Sequence, residues 1–253
     1  MKLVTWNVNS IRARRERLAA WVDANKPDVL CLQEIKVPTD EMPGDLAAAG
    51  YHVAAWGQKS YNGVAIASRL PLEDVTRGFA DGGADDQARV IAATIAGVRV
   101  VCLYVPNGEA LGSDKYAFKL AWYGRLRRWL DTHHQPDAPV IVCGDMNVAP
   151  TDLDVHDPVA WHERIHTSTP ERAALADVLG FGLTDVFRHL HPELKAYSWW
   201  DYRGVDFFKD RGLRIDHVYA TAPALSRMRT ARIDRDARKG KDASDHAPVI
   251  VEL

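Results

Sequence analysis

The chain reads as an α/β protein made of two packed sheets with helices outside. Three observations predict this. Short runs rich in Val, Ile, Leu, Tyr and Trp recur along its length, bounded by Gly, Pro, Asn and Asp, as β-strands are. Few helical patterns fall between them, which argues against a Rossmann-type sheet. No low-complexity segment, internal repeat or Pro/Gly/Ser-rich linker divides the sequence, so residues 1–253 are expected to form one domain.

The predicted strands are residues 2–7, 28–33, 51–56, 63–68, 89–95, 98–105, 139–143, 197–202, 213–220 and 247–253. Three helices are expected. Residues 10–25 follow a possible cap, Ser10, and place Ile11, Leu18, Trp21 and Val22 near helical spacing. Residues 114–132 follow Ser113 and set Tyr116, Leu120, Tyr123, Leu126 and Leu130 on one stripe. Residues 170–180 open on Pro170 and Glu171 and stop at Gly180.

Composition places the chain among ordinary globular proteins, at 47% hydrophobic and 26% charged residues. No apolar run approaches the roughly 18–20 residues that span a bilayer. Met1 leads directly into Leu3-Val4-Thr5-Trp6 without a leader pattern, so a cytoplasmic protein is expected. Cys31, Cys102 and Cys143 each lie inside an apolar run, which suits buried strand residues rather than a disulfide framework or a zinc site. The net charge of −2 announces no nucleic-acid partner. Its distribution is uneven: Arg203 to Lys241 holds 11 Lys and Arg against 5 Asp and Glu, and Arg12 to Arg17 holds four arginines and one glutamate. Such stretches are either solvated faces or phosphate-binding patches.

The informative pattern lies at the strand ends. Thr5-Trp6 runs into Asn7, Leu30-Cys31-Leu32 into Gln33-Glu34, and Val100 to Leu103 ends at Tyr104. Val140 to Cys143 gives way to Gly144-Asp145-Met146-Asn147, Ile215 leads to Asp216, and Asp245-His246 stands just before the final run. Polar groups at strand ends can be held by rigid sheets around one mouth. In Asp145-x-Asn147 the spacing puts both side chains on one side of an extended chain. Glu34 is a hard oxygen ligand of the kind Mg²⁺ prefers, and His246 can donate to a phosphoryl oxygen or shuttle a proton. Asp216, as a core carboxylate, needs a partner. Taken singly, a strand-end Asp or Asn is usually a turn former, Glu34 more often a surface acid and Asp245-His246 more often a loop pair. Taken together they admit a metal-assisted hydrolase, and their spacing names no substrate.

These segments closely resemble the exonuclease III family of abasic-site endonucleases, in the deoxyribonuclease I-like (endonuclease/exonuclease/phosphatase) superfamily. The matching stretches are TWNVNSIRAR at 5–14, PDVLCLQEIK at 27–36, YNGVAIASR at 61–69 and YVPNGE at 104–109. They continue with VIVCGDMNVAPTDLD at 140–154, LTDVFR at 183–188, YSWWDYR at 197–203, GLRIDHVYAT at 212–221 and SDHAPV at 244–249. They stand in family order from end to end. Ile35 departs from the threonine common there, and residues 156–169, with His156, His162 and His166, match weakly.

The resemblance implies a four-layer sandwich of two mixed sheets flanked by helices, with the site at one edge. Glu34 resembles the main metal ligand, with Asn7 and Asp245 around the same site, and the implied ion is Mg²⁺, with Mn²⁺ an alternative. Tyr104 resembles the tyrosine that contacts the scissile phosphate. Asp145 resembles the carboxylate that activates water or protonates the leaving group, and Asn147 the amide that orients water or phosphate. His246 resembles the phosphate-facing histidine, oriented by Asp216. Trp199, Leu213 and Ile215 fall at positions of an apolar pocket for a flipped-out abasic sugar, which a normal nucleotide would have to unstack to enter. The implied activity is Mg²⁺-dependent hydrolysis of duplex DNA 5′ to abasic sites, with 3′→5′ exonuclease and 3′-end phosphatase activity, by a monomer and without membrane contact. The basic stretches would track the DNA backbone. Two other readings stand beside it: a phosphoinositide- or sphingomyelin-type phosphoesterase of the same superfamily, or a non-catalytic DNA-binding module. PTDLD after the GDMN segment and SWWDYR favour the nucleic-acid branch, and the complete set of polar positions favours catalysis.

Overall fold

In the computed structural model, which describes residues 1–82 and 87–253, the strands assemble into two six-stranded mixed sheets. The chain begins in one sheet, with β1 (Lys2–Asn7), β2 (Val29–Gln33), β3 (His52–Trp56) and β4 (Val64–Ser68). It crosses to the other for β5 (Glu73–Arg77), β6 (Val90–Ile95), β7 (Val98–Tyr104), β8 (Val140–Asp145), β9 (Leu183–Asp185) and β10 (Asp216–Thr221). It returns for β11 (Thr230–Ile233) and β12 (Val249–Glu252). The orders are β11-β12-β1-β2-β4-β3 and β5-β6-β7-β8-β10-β9. Each sheet has one parallel pair, β1 with β2 and β7 with β8, and its remaining pairs are antiparallel.

Alternation along these strands explains the layers. Leu3, Val29, Cys31 and Ile66 from one sheet meet Ile91, Val100, Cys102, Ile141, Cys143 and Val218 from the other in a shared core. The opposite face of the first sheet, including Val4, Trp6, Leu30 and Leu32, packs on α1 (Arg15–Asn25) through Leu18, Trp21 and Val22. The opposite face of the second sheet packs on α3 (Asp114–His133) and α4 (Thr169–Leu179), the chain having passed α2 (Asp45–Ala48). The expected four-layer α/β sandwich is therefore present. Each fully buried Val, Leu or Ile stabilises it by about 1.5–3 kcal/mol. All three cysteines are buried and unpaired by disulfides. Among the described residues no helix is long and apolar enough to cross a membrane.

Several local expectations change. Residues 197–202 do not form a strand: Trp199 makes only isolated bridges, to Leu213 and His246. That segment crosses the open end of the sheets, where its polar backbone meets two different elements. Likewise, residues 213–215 precede β10 rather than belong to it. Ser10 does not cap α1. It sits at φ 87° in a turn, and the helix begins at Arg15. Strands β5, β9 and β11 escaped notice because they are short, edge-lying or rich in polar residues, which removes the apolar run. The buried face of α3 is Lys119, Trp122, Tyr123, Leu126, Trp129 and Leu130, so the expected stripe is rotated. Ser113 and Ser168 do cap their helices, and Ser168 forms a reciprocal capping box with Glu171.

Candidate active site

The parallel pairs β1–β2 and β7–β8 end at the same edge of the sandwich. Asn7, Glu34, Tyr104 and Asp145 therefore emerge there together, and the antiparallel β10 contributes its first residue, Asp216, opposite Asp145. The segment before β12 completes the rim. Ser244 Oγ donates to the Asn7 carbonyl at 2.7 Å, and Trp6 Nε1 donates to the His246 carbonyl at 3.1 Å, which fixes Asp245 and His246 beside β1.

Two glycines permit this geometry. Gly63 has φ 90°, and a Cβ on it would sit 2.5 Å from the Ile35 side chain. Its carbonyl instead accepts the Ile35 amide, holding the Glu34 turn at φ 51°. Gly144 has φ 144°, and a Cβ there would meet the Leu103 carbonyl, so β7 and β8 could not close beneath Asp145. Ile35 itself is fully buried in the outer core, so an apolar residue fits that position.

The polar side chains form a connected set. Asn7 Nδ2 donates to Glu34 Oε1 at 2.8 Å and to Asp145 Oδ2 at 2.9 Å. The Asn147 amide donates to Asp145 Oδ1 at 2.9 Å, and the Asn147 side chain donates to the Val105 carbonyl. His246 Nδ1 lies 2.8 Å from Asp216 Oδ2, which also accepts from Ser198 Oγ at 2.7 Å. His246 Nε2 lies 3.8 Å from Asp145 Oδ2. Asp216 Oδ1 is buried and finds no hydrogen-bond partner among the described residues. Asp245 Oδ1 accepts from Asn9 Nδ2, and its Oδ2 accepts from Trp199 Nε1.

Electrostatics reflect that packing. Burial, reinforced by Asp216 and Glu34, pushes Asp145 up to about 7 against the opposing pull of His246 and Asn7. Burial disfavours charge on His246, but Asp216 and Asp145 outweigh it and push the imidazole up to about 10. Burial and the nearby Glu34 and Asp145 charges hold the Tyr104 phenol well above its ordinary value. Burial acts against ionisation of Asp245 too, yet His246 and its two hydrogen bonds hold it below the usual carboxylate range.

Glu34, Asp145 and His246 offer ligand atoms that all lie within 4.8 Å of one another. The carboxylate oxygens are hard donors suited to a small divalent cation. His246, held as a cation by its neighbours, presents a proton rather than a lone pair. Lys36 Nζ already rests 2.7 Å from Glu34 Oε2, a positive group at the spot that attracts one. The residues present thus fit a divalent ion. Of the expected ligands, Asn7 and Glu34 are in direct contact, whereas Asp245 reaches Glu34 indirectly, through Asn9 and then Lys36 or Asn7.

At the adjoining wall, half-buried Trp199 packs with Trp161 over buried Ala149, Val155, Leu213 and Ile215. Leu213 and Ile215 are the floor of this wall, and Trp199 is its accessible surface. Trp200 faces the other way, into Phe207 and Ala247.

Sequence reasoning missed the supports beneath Asn147. Lys119 is wholly buried, ion-paired to Glu171, and donates to the Asn147 carbonyl at 2.7 Å and the Asn107 carbonyl at 3.0 Å. His166 Nδ1 reaches the same Asn147 carbonyl at 2.7 Å. Asn9 and Ser198 were also missed, although each lies within a matching stretch, and Lys36 was noted beside Glu34 without a role.

A family model described as the endonuclease/exonuclease/phosphatase family matches residues 4–246. Exodeoxyribonuclease III of Haemophilus influenzae is 35% identical over 266 residues, spanning the whole of both chains. A Neisseria 3′ phosphatase, NExo, solved with a product DNA hairpin, superposes with a TM-score of 0.96 at 42% identity, covering 100% of this chain and 99% of that one. An AP endonuclease from Archaeoglobus fulgidus superposes with a TM-score of 0.96 at 39% identity, with the same coverage.

Proposed function

The chain belongs to the exonuclease III/AP endonuclease family of the endonuclease/exonuclease/phosphatase superfamily, and from that premise we propose that it is a DNA repair nuclease. Its activities are cleavage of the duplex backbone 5′ to abasic sites, 3′→5′ exonuclease action and removal of 3′ phosphates. The observation that carries this reading is the connected set Glu34–Asn7–Asp145–His246–Asp216 at one sheet edge, a phosphoester-hydrolysing arrangement beside an aromatic wall. The similar proteins from Haemophilus, Neisseria and Archaeoglobus are all named for work on DNA, which disfavours the phosphoinositide and sphingomyelin readings.

In this reading Glu34 and Asp145 would hold Mg²⁺, with Asn7 and Asp245 ordering the surrounding charge. A divalent ion held there would supply Lewis-acid chemistry against negative charge on the phosphoryl and leaving oxygens. Cationic His246, oriented by Asp216, donates to a phosphoryl oxygen from the other side. Asp145 faces the same space, fixed by two donors, and serves the attacking water or the leaving oxygen. Asn147 is turned by its contacts with Asp145 and Val105 to orient that water or the phosphate. Tyr104 keeps its proton and donates to the scissile phosphate. Trp199, on its floor of Leu213 and Ile215, receives the abasic sugar. The protein works as one domain, residues 1–253, and as a monomer, since both sheets complete a single site.

A gel assay on duplexes carrying an abasic analogue, a 3′ phosphate or a blunt end, each with Mg²⁺ or EDTA, tests this. Cleavage of all three with Mg²⁺ and of none with EDTA is expected. Binding without Mg²⁺-stimulated cleavage would overturn it.

A further inference from the structure

We infer that Asn9 is a positioning residue that couples the cation site at Glu34 to the aromatic wall at Trp199; this rests on the proposed nuclease function. The carrying observation is an unbroken line of side chains. Lys36 Nζ lies 2.7 Å from Glu34 Oε2 and donates to Asn9 Oδ1 at 2.6 Å. Asn9 Nδ2 donates to Asp245 Oδ1 at 2.9 Å, and Trp199 Nε1 donates to Asp245 Oδ2 at 3.0 Å.

The chemistry fixes the direction of every link. An ammonium can only donate and a carboxylate can only accept, so the Asn9 amide has one orientation that serves both neighbours. Aspartate at this position would set two carboxylates against each other. Leucine would keep the size but break both links. The backbone holds Asn9 ready for this duty: φ is 45°, a conformation asparagine tolerates better than most residues, and its amide donates to Asn7 Oδ1 at 3.0 Å. That last bond ties Asn9 to the residue that bridges Glu34 and Asp145.

A cation at Glu34 draws on the carboxylate that Lys36 already occupies. When Lys36 gives way, Asn9 Oδ1 loses or changes its partner, and Asp245 and Trp199 must readjust in turn. Coupling of this kind is reciprocal, so seating a sugar against Trp199 also alters the hold of the site on its cation. A rigid scaffold with the same hydrogen bonds would transmit nothing, and the two cases differ in a measurable way.

The test uses the full chain labelled with 5-fluorotryptophan and followed by ¹⁹F NMR during titration with Mg²⁺ alone. The Trp199 resonance is identified by its absence in Trp199→Phe. In the wild type it moves saturably with Mg²⁺. In Asn9→Leu most of that movement is lost, while calorimetry shows that Mg²⁺ still binds. Lys36→Met cuts the line one link earlier and produces the same loss, which guards against a local packing defect at position 9. A second arm measures affinity for a duplex with a non-hydrolysable abasic analogue in Mg²⁺ and in EDTA. The ratio is about 5-fold or more in the wild type and falls toward unity in Asn9→Leu. Equal movement of the Trp199 resonance in wild type and variants, or none in the wild type, would overturn the coupling. So would loss of Mg²⁺ binding in both variants, which would make Asn9 part of the cation site itself. A wild type that binds no duplex sinks the DNA reading, and the Mg²⁺ arm still decides the coupling.

Discussion

Arg214 and Asp216 lie two residues apart and are both buried, yet they belong to different clusters of charge. Arg214 donates to Asp154 at 2.8 Å and to Asp185 at 2.7 and 3.2 Å, and Arg188 donates to Asp154 at 2.7 Å. Two guanidiniums thus meet two carboxylates, and both acids are held below the usual carboxylate range: burial opposes ionisation, and Arg214 overcomes it. Around Asp216 the count differs. Among the described residues, Glu34 pairs closely with Lys36, and Asp145 and Asp216 share His246, while Lys119 and Arg238 act on Asp145 and Asp245 without pairing with them. One carboxylate oxygen has no hydrogen-bond partner among the described residues, and Asp145 is pushed upward rather than down. A balanced cluster suits a structural role. A surplus of negative charge beside a groove suits a cation and a phosphate that are still to come.

The sharpest way to break this comparison is to remove charge from each cluster in turn. Glu34→Ala should nearly abolish Mg²⁺-dependent cleavage. The loss expected is about 10⁴-fold or more, from several kcal/mol of Lewis-acid support. The melting temperature should hold or rise, because a repulsive charge has gone. Rate against Mg²⁺ concentration, with calorimetric melting, checks both, and wild-type metal dependence in the variant would remove Glu34 from the cation site.

Asp145→Asn and His246→Asn should each lower single-turnover rates by about 10²–10⁴-fold, while abasic duplex binding persists. If affinity alone falls, these residues bind substrate rather than act on it. Arg214→Met should do the reverse of all three. It leaves buried Asp154 and partly buried Asp185 without their main partner and costs about 3–5 kcal/mol of stability. Denaturant unfolding measures that, and activity per folded molecule should remain near wild type. A stable, inactive Arg214→Met would show that the two clusters are not separate.

His166 sharpens the comparison from beneath the site. Burial, with Lys119 nearby, lowers its imidazole to about 3 against an ordinary value of 6.5. The folded protein therefore refuses a proton that the unfolded chain accepts. Its contribution is fully present above about 6.5 and is lost as pH falls toward about 3, with a slope near 1.4 kcal/mol per pH unit in that window. Asp145, held up to about 7, contributes with the opposite sign and His134, held down to about 4, with the same sign, so the slope attributed to His166 is the difference in unfolding free energy between the wild type and His166→Gln from pH 7 to 4. An unchanged slope would place the acid sensitivity elsewhere.

The same contrast explains how much of the molecule was legible in its sequence. Asn7, Glu34, Tyr104, Asp145, Asp216 and His246 interrupt or end apolar runs, and a polar residue there has no reason to exist unless something pairs with it. The mouth could therefore be read off strand ends. Lys119 could not. It stands in α3 between Phe118 and Leu120 as a lone charge that reads as solvent-facing, and only the packing of α3 on α4 turns it inward to Glu171. Glu171 was legible with Pro170 as a helix start but not as the partner that holds Lys119 beneath Asn147. Arg214, inside GLRIDH, looked like part of a basic DNA-tracking stretch, and the fold buries it instead. Sequence gives residue type and period. It does not give which helix face meets which loop.

The smallest effect concerns selectivity, and it separates chemistry from substrate fit. Trp199 is half-buried over Leu213 and Ile215, whereas Trp200 is fully buried in the opposite direction, as expected of successive residues in an extended segment. Trp199→Ala should weaken abasic-site cleavage more than removal of a 3′ phosphate, since only the first needs a sugar seated against an apolar wall. Loss of a stacking aromatic is worth about 1–3 kcal/mol, or roughly 5- to 150-fold. The indole also donates to Asp245, so the truncation removes two things at once. Trp199→Phe separates them by keeping the ring and losing the N–H. If the wall matters most, phenylalanine retains the selectivity that alanine loses. If the hydrogen bond to Asp245 matters most, both variants fall together. Both activities are measured in one preparation of each variant, with circular dichroism confirming the fold. Equal losses of the two activities in Trp199→Ala would make Trp199 a general support of the site and would remove it from the sugar pocket.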